Sequence, residues 1–179
     1  MDFIRSLSLI LLASHAPSSL VYQYLTSAGH IGRQGVGDII FRDIGDPHPG
    51  PFTNLAAFHD YFARCSCRRH PEWNPRLDFP ELAGLSDDRP VVFTHGDFHR
   101  NNIIVSRKAK DLTPRVLAII DWHQSGWYPI DWEWLKAQWM CEIIDDENGS
   151  RRDTDWLLKI MDPAEQGYWY AWEFVTSSL

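Results

Sequence analysis

The chain has 179 residues, which suits one folded domain over residues 1–179, and its 44% apolar content excludes a chain that is disordered throughout. The net charge of −7 and the lack of a long basic run argue against nucleic acid or a membrane surface as the main partner. Eight of the nine tryptophans lie from Trp122 onward. This enrichment indicates either an aromatic core in that half or a partly aromatic ligand pocket.

The cysteines and the N-terminal residues bear on the cellular compartment. The three cysteines are an odd number, and Cys65 and Cys67 are separated by one residue, so no disulfide framework is predicted. This favours a reduced, cytoplasmic setting. Residues 1–16 contain a short apolar run that ends in small residues, as secretory signals do, but Asp2 offsets Arg5. We expect a helix there, with a secretory signal as the alternative.

The next segments contain a predicted helix and irregular structure. Apolar residues on one face between Leu20 and Ala28 predict a helix, and Gly29 is a suitable stop. Residues 38–44, DIIFRDI, predict a short pair of strands or an extended segment. The glycines of GRQGVGD, residues 32–38, match no phosphate-loop spacing and therefore indicate a turn.

A second helix and a loop lead to the most polar part of the chain. The helix is predicted to begin at Thr53 or Asn54, because the apolar residues that follow recur at spacings of three and four. Residues 66–90 are charged and broken by prolines, which is typical of a loop. The apolar run VVFT, residues 91–94, then predicts a strand.

The remaining segments predict a hairpin followed by helices. Residues 103–120 contain two apolar runs around a turn rich in Lys, Asp and Pro, which predicts an antiparallel β-hairpin. The segment GWYPIDWEWLKAQWMCEII predicts a helix with Pro129 in its first turn. Asp162 and Glu165 have capping-box spacing, and Pro163 suits the first position of a last helix. The predicted class is therefore α+β, mostly helical with a short hairpin.

The segment HGDFHRNN, residues 95–102, concentrates side chains that can bind ligands, and a metal site is one interpretation. On an extended segment, His95, Asp97 and His99 would point to one side and could converge on Zn²⁺ or Fe²⁺. Gly96 and the lack of a regular strand argue against this geometry, because an abrupt loop would aim the side chains apart.

Phosphoryl transfer is the second interpretation of the same segment. This reaction needs one carboxylate to orient the acceptor hydroxyl and accept its proton, and oxygen ligands for Mg²⁺ beside the triphosphate. Asp97 suits the first role, and Asn102 and Asp121 suit the second. The predicted hairpin brings Asn102 and Asp121 together, because they lie at its two ends.

These residues resemble a known family. HGDFHRNN followed by IIDW is similar to the catalytic core of the aminoglycoside phosphotransferase family, a branch of the protein-kinase-like fold. The segments PGPFTNLAAFHDYF and SGWYPIDWEWLKA resemble the regions before and after the catalytic loop of fungal members. The resemblance covers residues 30–145. It leaves residues 1–29 as an N-terminal helical segment and residues 146–179 as C-terminal helices around a kinase-like C-lobe.

The resemblance implies a role for each motif residue. Asp97 corresponds to the catalytic aspartate, Asn102 and Asp121 to the Mg²⁺ ligands, and His95 to a structural support of the loop. The implied activity is transfer of phosphate from ATP to a hydroxyl of a small metabolite or an aminoglycoside-like substrate. The other ATP-binding residues are unknown, because no glycine-rich loop is found and no lysine precedes Lys108.

The lack of a glycine-rich loop and of an early lysine departs from the family pattern. It predicts a truncated member that lacks most of the N-terminal ATP-binding lobe. A homodimer or a partner chain is then expected to cover the surface that the lobe would occupy. The alternative is a lobe repurposed for ATP-independent chemistry without a cofactor, or a non-catalytic binding module. Such an enzyme would use acid–base groups with tryptophans as cleft walls for a small-molecule substrate. The candidate residues are Asp97, His99, Asp121, His123, Trp122 and Trp127.

Overall fold

The computed structural model describes residues 29–30, 35–42, 48–106, 115–146 and 156–179. The predicted helix before Gly29, the residues 1–16 and the turn of the predicted hairpin lie outside these described residues. The described helices are α1 (Ile39–Arg42), α2 (Leu55–Cys65), α3 (Pro75–Asp78), α4 (Trp132–Asp146) and α5 (Gln166–Thr176). No helix in the described ranges is long and apolar enough to cross a membrane.

Five short strands form two antiparallel sheets in the described part of the chain. The strands are β1 (Gly29–His30), β2 (Val91–Thr94), β3 (Ile103–Val105), β4 (Val116–Ile119) and β5 (Gly126–Pro129). The first sheet has the order β1-β5-β2, and β3 pairs with β4 in the second. Ile103 lies opposite Ile119, so the predicted hairpin is confirmed. Helices combined with small antiparallel sheets agree with the α+β class.

Helix α2 begins where the sequence predicts it. The Asn54 side chain accepts a hydrogen bond from the Ala57 backbone N–H at 2.8 Å, which satisfies one donor of the first turn. Phe58 and Phe62, one turn apart, are fully buried on the inner face. The following residues 66–90 are less irregular than predicted, since they contain α3 and a 3-10 turn at Pro80–Gly84.

The expectation of extended structure in residues 38–44 is wrong for Ile39–Arg42, which is the helix α1, and residues 43–44 lie outside the described residues. Side-chain oxygens accept hydrogen bonds from the first backbone N–H groups of α1. Asp38 accepts from the Ile40 N–H at 3.0 Å, and Gln124 accepts from the Ile39 N–H at 2.9 Å. Because Gln124 comes from a segment far along the chain, local apolar character alone did not predict the helix.

The expectation that Pro129 opens a helix is also wrong. Pro129 is the last residue of β5 and lies opposite Val91 of β2, and α4 begins at Trp132. The strand was missed because β5 lies between β1 and β2 and so carries no alternating polar pattern. Proline is tolerated at the end of the strand, where the ladder of hydrogen bonds stops.

The last helix begins later than predicted. It covers Gln166–Thr176 with Glu165 at the N-cap position, so Asp162 and Pro163 precede it and form no capping box. The Glu165 backbone N–H donates to Asp131 at 2.9 Å, and Arg89 forms an ion pair with Glu165 at 3.0 Å. Contacts from other parts of the chain therefore determine where α5 begins.

Trp132 lies at the centre of an aromatic core. Its ring centroid lies 4.9 Å from that of Trp172, 5.1 Å from Phe58 and 5.2 Å from Tyr128. All four side chains are buried. Much of the tryptophan-rich half therefore belongs to the hydrophobic core. This packing fixes the start of α4 next to the polar loop that follows β2.

Candidate active site

A sharp turn at Gly96 opens the polar loop after β2. Gly96 has φ +76°, a left-handed conformation that favours glycine. A Cβ at this position would lie 2.5 Å from the backbone oxygen of Gln124. The loop therefore passes directly over the segment that follows Asp121, and this close approach brings the two halves of the site together.

His95 connects the loop to the end of the hairpin. Its Nε2 lies 2.9 Å from the Ile120 carbonyl oxygen, and its Nδ1 accepts the Asp97 backbone N–H at 3.2 Å. Burial lowers the pKa of His95, which favours the neutral ring that this pair of hydrogen bonds requires. Both ring nitrogens are used, so the structure does not bring His95, Asp97 and His99 together as metal ligands. The contacts suit structural support of the loop.

Asp97 is buried, with 6% of its surface exposed, and is held by Asn102. The Asn102 amide nitrogen donates to the Asp97 carbonyl at 2.9 Å and to Asp97 Oδ2 at 3.2 Å. These two acceptors orient the amide, so its oxygen points away from them. Asp97 Oδ1 has no hydrogen-bond partner among the described residues. An unsatisfied buried carboxylate oxygen is costly and is a natural place for a ligand.

His99 lies beside this carboxylate. Its Nε2 is 3.6 Å from Asp97 Oδ1 and 3.2 Å from the Asn102 amide nitrogen. Its Nδ1 is buried without a hydrogen-bond partner among the described residues. The structure thus places His99 next to Asp97, as a second catalytic group would be, but the separation exceeds a hydrogen bond.

Asp121 approaches the loop from the far end of β4. Its backbone is left-handed, with φ 67°, which is uncommon for a residue other than glycine and often marks functional sites. Its Oδ1 lies 2.5 Å from Nδ1 of His123, and both side chains are half exposed. One ligand atom each from Asp97, Asp121 and His123 lie within 4.8 Å of one another. The structure therefore joins three of the sequence-predicted residues in one cluster.

Glu133 is a loop-supporting residue that the sequence interpretation missed. Its carboxylate accepts the backbone N–H of His95 at 2.5 Å and that of Gly96 at 3.2 Å. Burial raises the pKa of Glu133 to about 7, although the two backbone donors lower it. An acidic residue in the first turn of α4 was visible in the sequence, but its partners in the loop after β2 were not.

A buried ion pair between Lys136 and Asp38 was also missed. Both side chains are fully buried, and Lys136 Nζ additionally donates to Gln124 at 2.9 Å. The Trp132 indole N–H donates to the other oxygen of Asp38 at 2.9 Å. Gln124 is the residue against which Gly96 packs. The Lys136–Asp38 pair therefore supports the segment after Asp121 through Gln124. It does not contact the cluster of Asp97, Asp121 and His123.

The two predicted cleft tryptophans pack together around Phe93. The rings of Phe93 and Trp122 are stacked with centroids 6.0 Å apart, and Trp127 meets Phe93 edge-on at 5.7 Å. Trp122 also donates its indole N–H to the Ile119 carbonyl at 2.8 Å. Both rings are partly buried, so contact with a substrate stays a prediction for them.

The donor set at this site is suited to a divalent cation. Carboxylate and amide oxygens are ligands that Mg²⁺ accepts, and the unsatisfied oxygen of Asp97 shows that the loop leaves acceptor capacity unused. A buried carboxylate, an oriented amide and a second carboxylate at the ends of one hairpin define a candidate phosphoryl-transfer site.

A comparison with protein families agrees with this class. The model of the phosphotransferase enzyme family, APH, matches residues 39–167, and because this is more than half of the chain, the chain belongs to that family. Searches of curated proteins and of solved structures gave no significant match. Family membership implies a kinase-like fold and phosphotransfer chemistry, and the mixed helices and small antiparallel sheets agree with that fold.

Proposed function

We propose that the protein transfers a phosphoryl group from ATP to a hydroxyl of a small molecule. The observation that carries this proposal is the buried Asp97 carboxylate, which has one oxygen without a partner and belongs to the cluster with Asp121. The matched family region contains both residues. The proposal makes Asp97 the catalytic residue.

Asp97 would position the acceptor and remove its proton. Asn102 occupies Oδ2 of Asp97, which leaves Oδ1 to accept a hydrogen bond from the acceptor hydroxyl. As the hydroxyl oxygen attacks the terminal phosphorus, its proton passes to this carboxylate. Most of the rate in such reactions comes from positioning and charge stabilisation, so the fixed orientation of Asp97 is the main contribution of the loop.

Asn102 and Asp121 would hold Mg²⁺, which supplies the positive charge that offsets the triphosphate. The amide oxygen of Asn102 points away from Asp97, and the carboxylate of Asp121 is half exposed. Both are oxygen donors of the type that Mg²⁺ prefers. Asp121 is positioned by its left-handed backbone, and Asn102 by the 3-10 turn at Arg100–Asn102.

The finer assignments are part of the same proposal. The chain would be a fungal-type member that corresponds mainly to the larger, helical lobe of the kinase-like fold. Trp122, His123 and Trp127 would contact a metabolite or an aminoglycoside-like acceptor. Another chain or a homodimer partner would supply further contacts to the phosphates.

An ATP-independent small-molecule enzyme or binding module is the second candidate. The β3–β4 hairpin, whose two ends lead to Asn102 and Asp121, exposes apolar side chains, including Leu117 at 65% and Ile120 at 41% exposure. This surface favours an apolar ligand, with which Asp97 and His99 would exchange protons. Phosphoryl transfer requires ATP, whereas this second candidate function does not, so a test with and without nucleotide distinguishes them.

The test is transfer of labelled γ-phosphate from ATP to a panel of hydroxylated small molecules that includes aminoglycosides. We expect Mg²⁺-dependent transfer by the wild type and a loss of roughly 10²–10⁴-fold in Asp97→Asn, the range of general acid–base contributions. Asp88→Asn is the matched control, because Asp88 is an exposed aspartate and should not matter. Equal activity in Asp97→Asn, or no transfer to any acceptor, would contradict the proposal.

A further inference from the structure

The cluster at the active site contains a nitrogen donor that phosphoryl transfer does not require. A ring nitrogen of His123 and one carboxylate oxygen each of Asp97 and Asp121 lie within 4.8 Å of one another. We propose that these three residues bind a transition-metal ion, with Zn²⁺ as the best fit, when neither nucleotide nor acceptor is bound. His123 is the nitrogen ligand of this site.

Side-chain movement would bring the separations to those of a formed site. Zn²⁺ bonds to oxygen and nitrogen are about 2.0–2.2 Å long, so tetrahedral ligands of one ion lie roughly 3.3–3.6 Å apart. The ligand atoms lie within 4.8 Å of one another, and the 2.5 Å contact between Asp121 and His123 would have to lengthen. Asp121 and His123 are each 52% exposed and can move, whereas Asp97 is fixed by Asn102. The site has one rigid ligand and two adjustable ones.

A second observation at Asp97 points to a ligand independently of the cluster. Asp97 is more than nine-tenths buried, and its Oδ1 has no hydrogen-bond partner among the described residues. His99 Nε2 lies 3.6 Å from this oxygen, which is beyond hydrogen-bond distance. A buried anionic oxygen without a partner is destabilising, and a bound cation would remove this cost.

The mixed donor set favours a transition metal over Mg²⁺. Imidazole suits Zn²⁺, Fe²⁺ and Ni²⁺, whereas Mg²⁺ prefers oxygen ligands and keeps several waters. Histidine nitrogen and carboxylate oxygen are both among the ligands that Zn²⁺ takes in proteins. His123 now contacts Asp121 at 2.5 Å, so its ring already lies against one of the two carboxylates. His123 thus makes the site selective for a transition metal over Mg²⁺.

The ion would compete with the acceptor. Phosphoryl transfer, as proposed above, places the acceptor hydroxyl at Asp97, and the metal occupies the same carboxylate. Zn²⁺ would therefore inhibit transfer that Mg²⁺ supports. The metal site itself does not rest on the proposed function, because its three ligands belong to this chain and no nucleotide is needed for binding.

The experiment uses the full chain after chelator treatment, without nucleotide, titrated calorimetrically with Zn²⁺ and separately with Mg²⁺. We expect one Zn²⁺ per chain and a loss of at least tenfold in Zn²⁺ affinity in His123→Ala, while Mg²⁺ affinity changes less than about threefold. Long-range ¹H–¹⁵N spectra of the histidine rings should show a shifted His123 nitrogen on Zn²⁺ addition, which a merely local structural effect would not produce.

His70→Ala is a matched control. His70 is half exposed, and its Nδ1 contacts the carboxylate of Glu72, two residues away, at 3.1 Å. This pair resembles Asp121 and His123 but belongs to no three-residue cluster in the described part of the chain. Its substitution should leave Zn²⁺ affinity unchanged. Equal losses in both variants, an unshifted His123 nitrogen, or no Zn²⁺ binding by the wild type would each overturn the inference and leave phosphoryl transfer untouched.

Discussion

Glu133 offers a quantitative test of how the polar loop after β2 is held. Its carboxylate accepts the backbone N–H groups of His95 and Gly96, and burial raises its pKa from 4.5 to about 7. Because the folded pKa lies above the unfolded value, the unfolded chain binds fewer protons between pH 4.5 and 7. Stability contributed by the protonated form is therefore lost as the pH rises through about 7.

The size of this change in stability follows from the pKa shift of Glu133. Each pKa unit corresponds to about 1.4 kcal/mol, so the shift of Glu133 corresponds to roughly 3 kcal/mol, of which about 2–3 kcal/mol develops between pH 5 and 8.5. Glutamine resembles the neutral carboxyl and does not titrate. We therefore expect the stability of Glu133→Gln relative to the wild type to improve by roughly 2–3 kcal/mol over this pH range.

The assay is urea unfolding monitored by tryptophan fluorescence at pH 5 and pH 8.5. Comparing the variant with the wild type at each pH cancels the other titrating groups, which both proteins share. Glu81→Gln removes an exposed carboxylate and serves as the control. A difference between Glu133→Gln and the wild type that does not change with pH would refute the reasoning, since the Glu133 carboxylate would then not be enclosed under the loop.

Three further predictions concern buried residues that support the site or the core. Lys136→Met should lower the free energy of unfolding in urea by roughly 3–5 kcal/mol, because it leaves Asp38 buried without its ion-pair partner. The double variant Lys136→Met/Asp38→Asn should recover much of this loss. Equal losses in the single and the double variant would contradict the prediction. Gly96→Ala should lower the melting temperature and abolish transfer, since its Cβ would lie 2.5 Å from Gln124; wild-type activity would contradict it. His59 of α2 is fully buried and contacts Asp87 and Tyr168, and its burial lowers its pKa below 6.5. Stability should therefore fall as the pH drops from 6.5 toward 5, and should fall less in His59→Gln. Equal shifts of the urea midpoint in the wild type and in His59→Gln would contradict this prediction.

The residues of the candidate site could be proposed from the sequence because their spacing is local. Asp97 and Asn102 lie in one loop, and the predicted hairpin alone indicated that Asp121 would meet them. The structure does place Asp121 in one cluster with Asp97. The role of His123 was harder to predict, because its contact with Asp121 depends on the left-handed backbone there.

The supporting residues were not predictable in the same way. Lys136 and Asp38 are almost a hundred positions apart, and a charged pair at full burial contradicts the usual expectation for both residue types. Helix α1 depends on Gln124 for one of its first hydrogen bonds. Pro129 belongs to a strand because Val91 of β2 lies opposite it. In each case a distant partner overrides the local pattern.

Calorimetric titration with ATP in the presence and absence of Mg²⁺ tests the central claim most directly, with the wild type and Asp121→Asn compared side by side. If Asp121 helps to bind a metal–nucleotide complex, the wild type should bind ATP only with Mg²⁺ present. Asp121→Asn should then lose at least tenfold in affinity, which would also remove the rise in melting temperature that a bound ligand produces. The absence of ATP binding by the wild type at millimolar concentrations, or equal binding by Asp121→Asn, would contradict a phosphotransferase site at Asp97, Asn102 and Asp121.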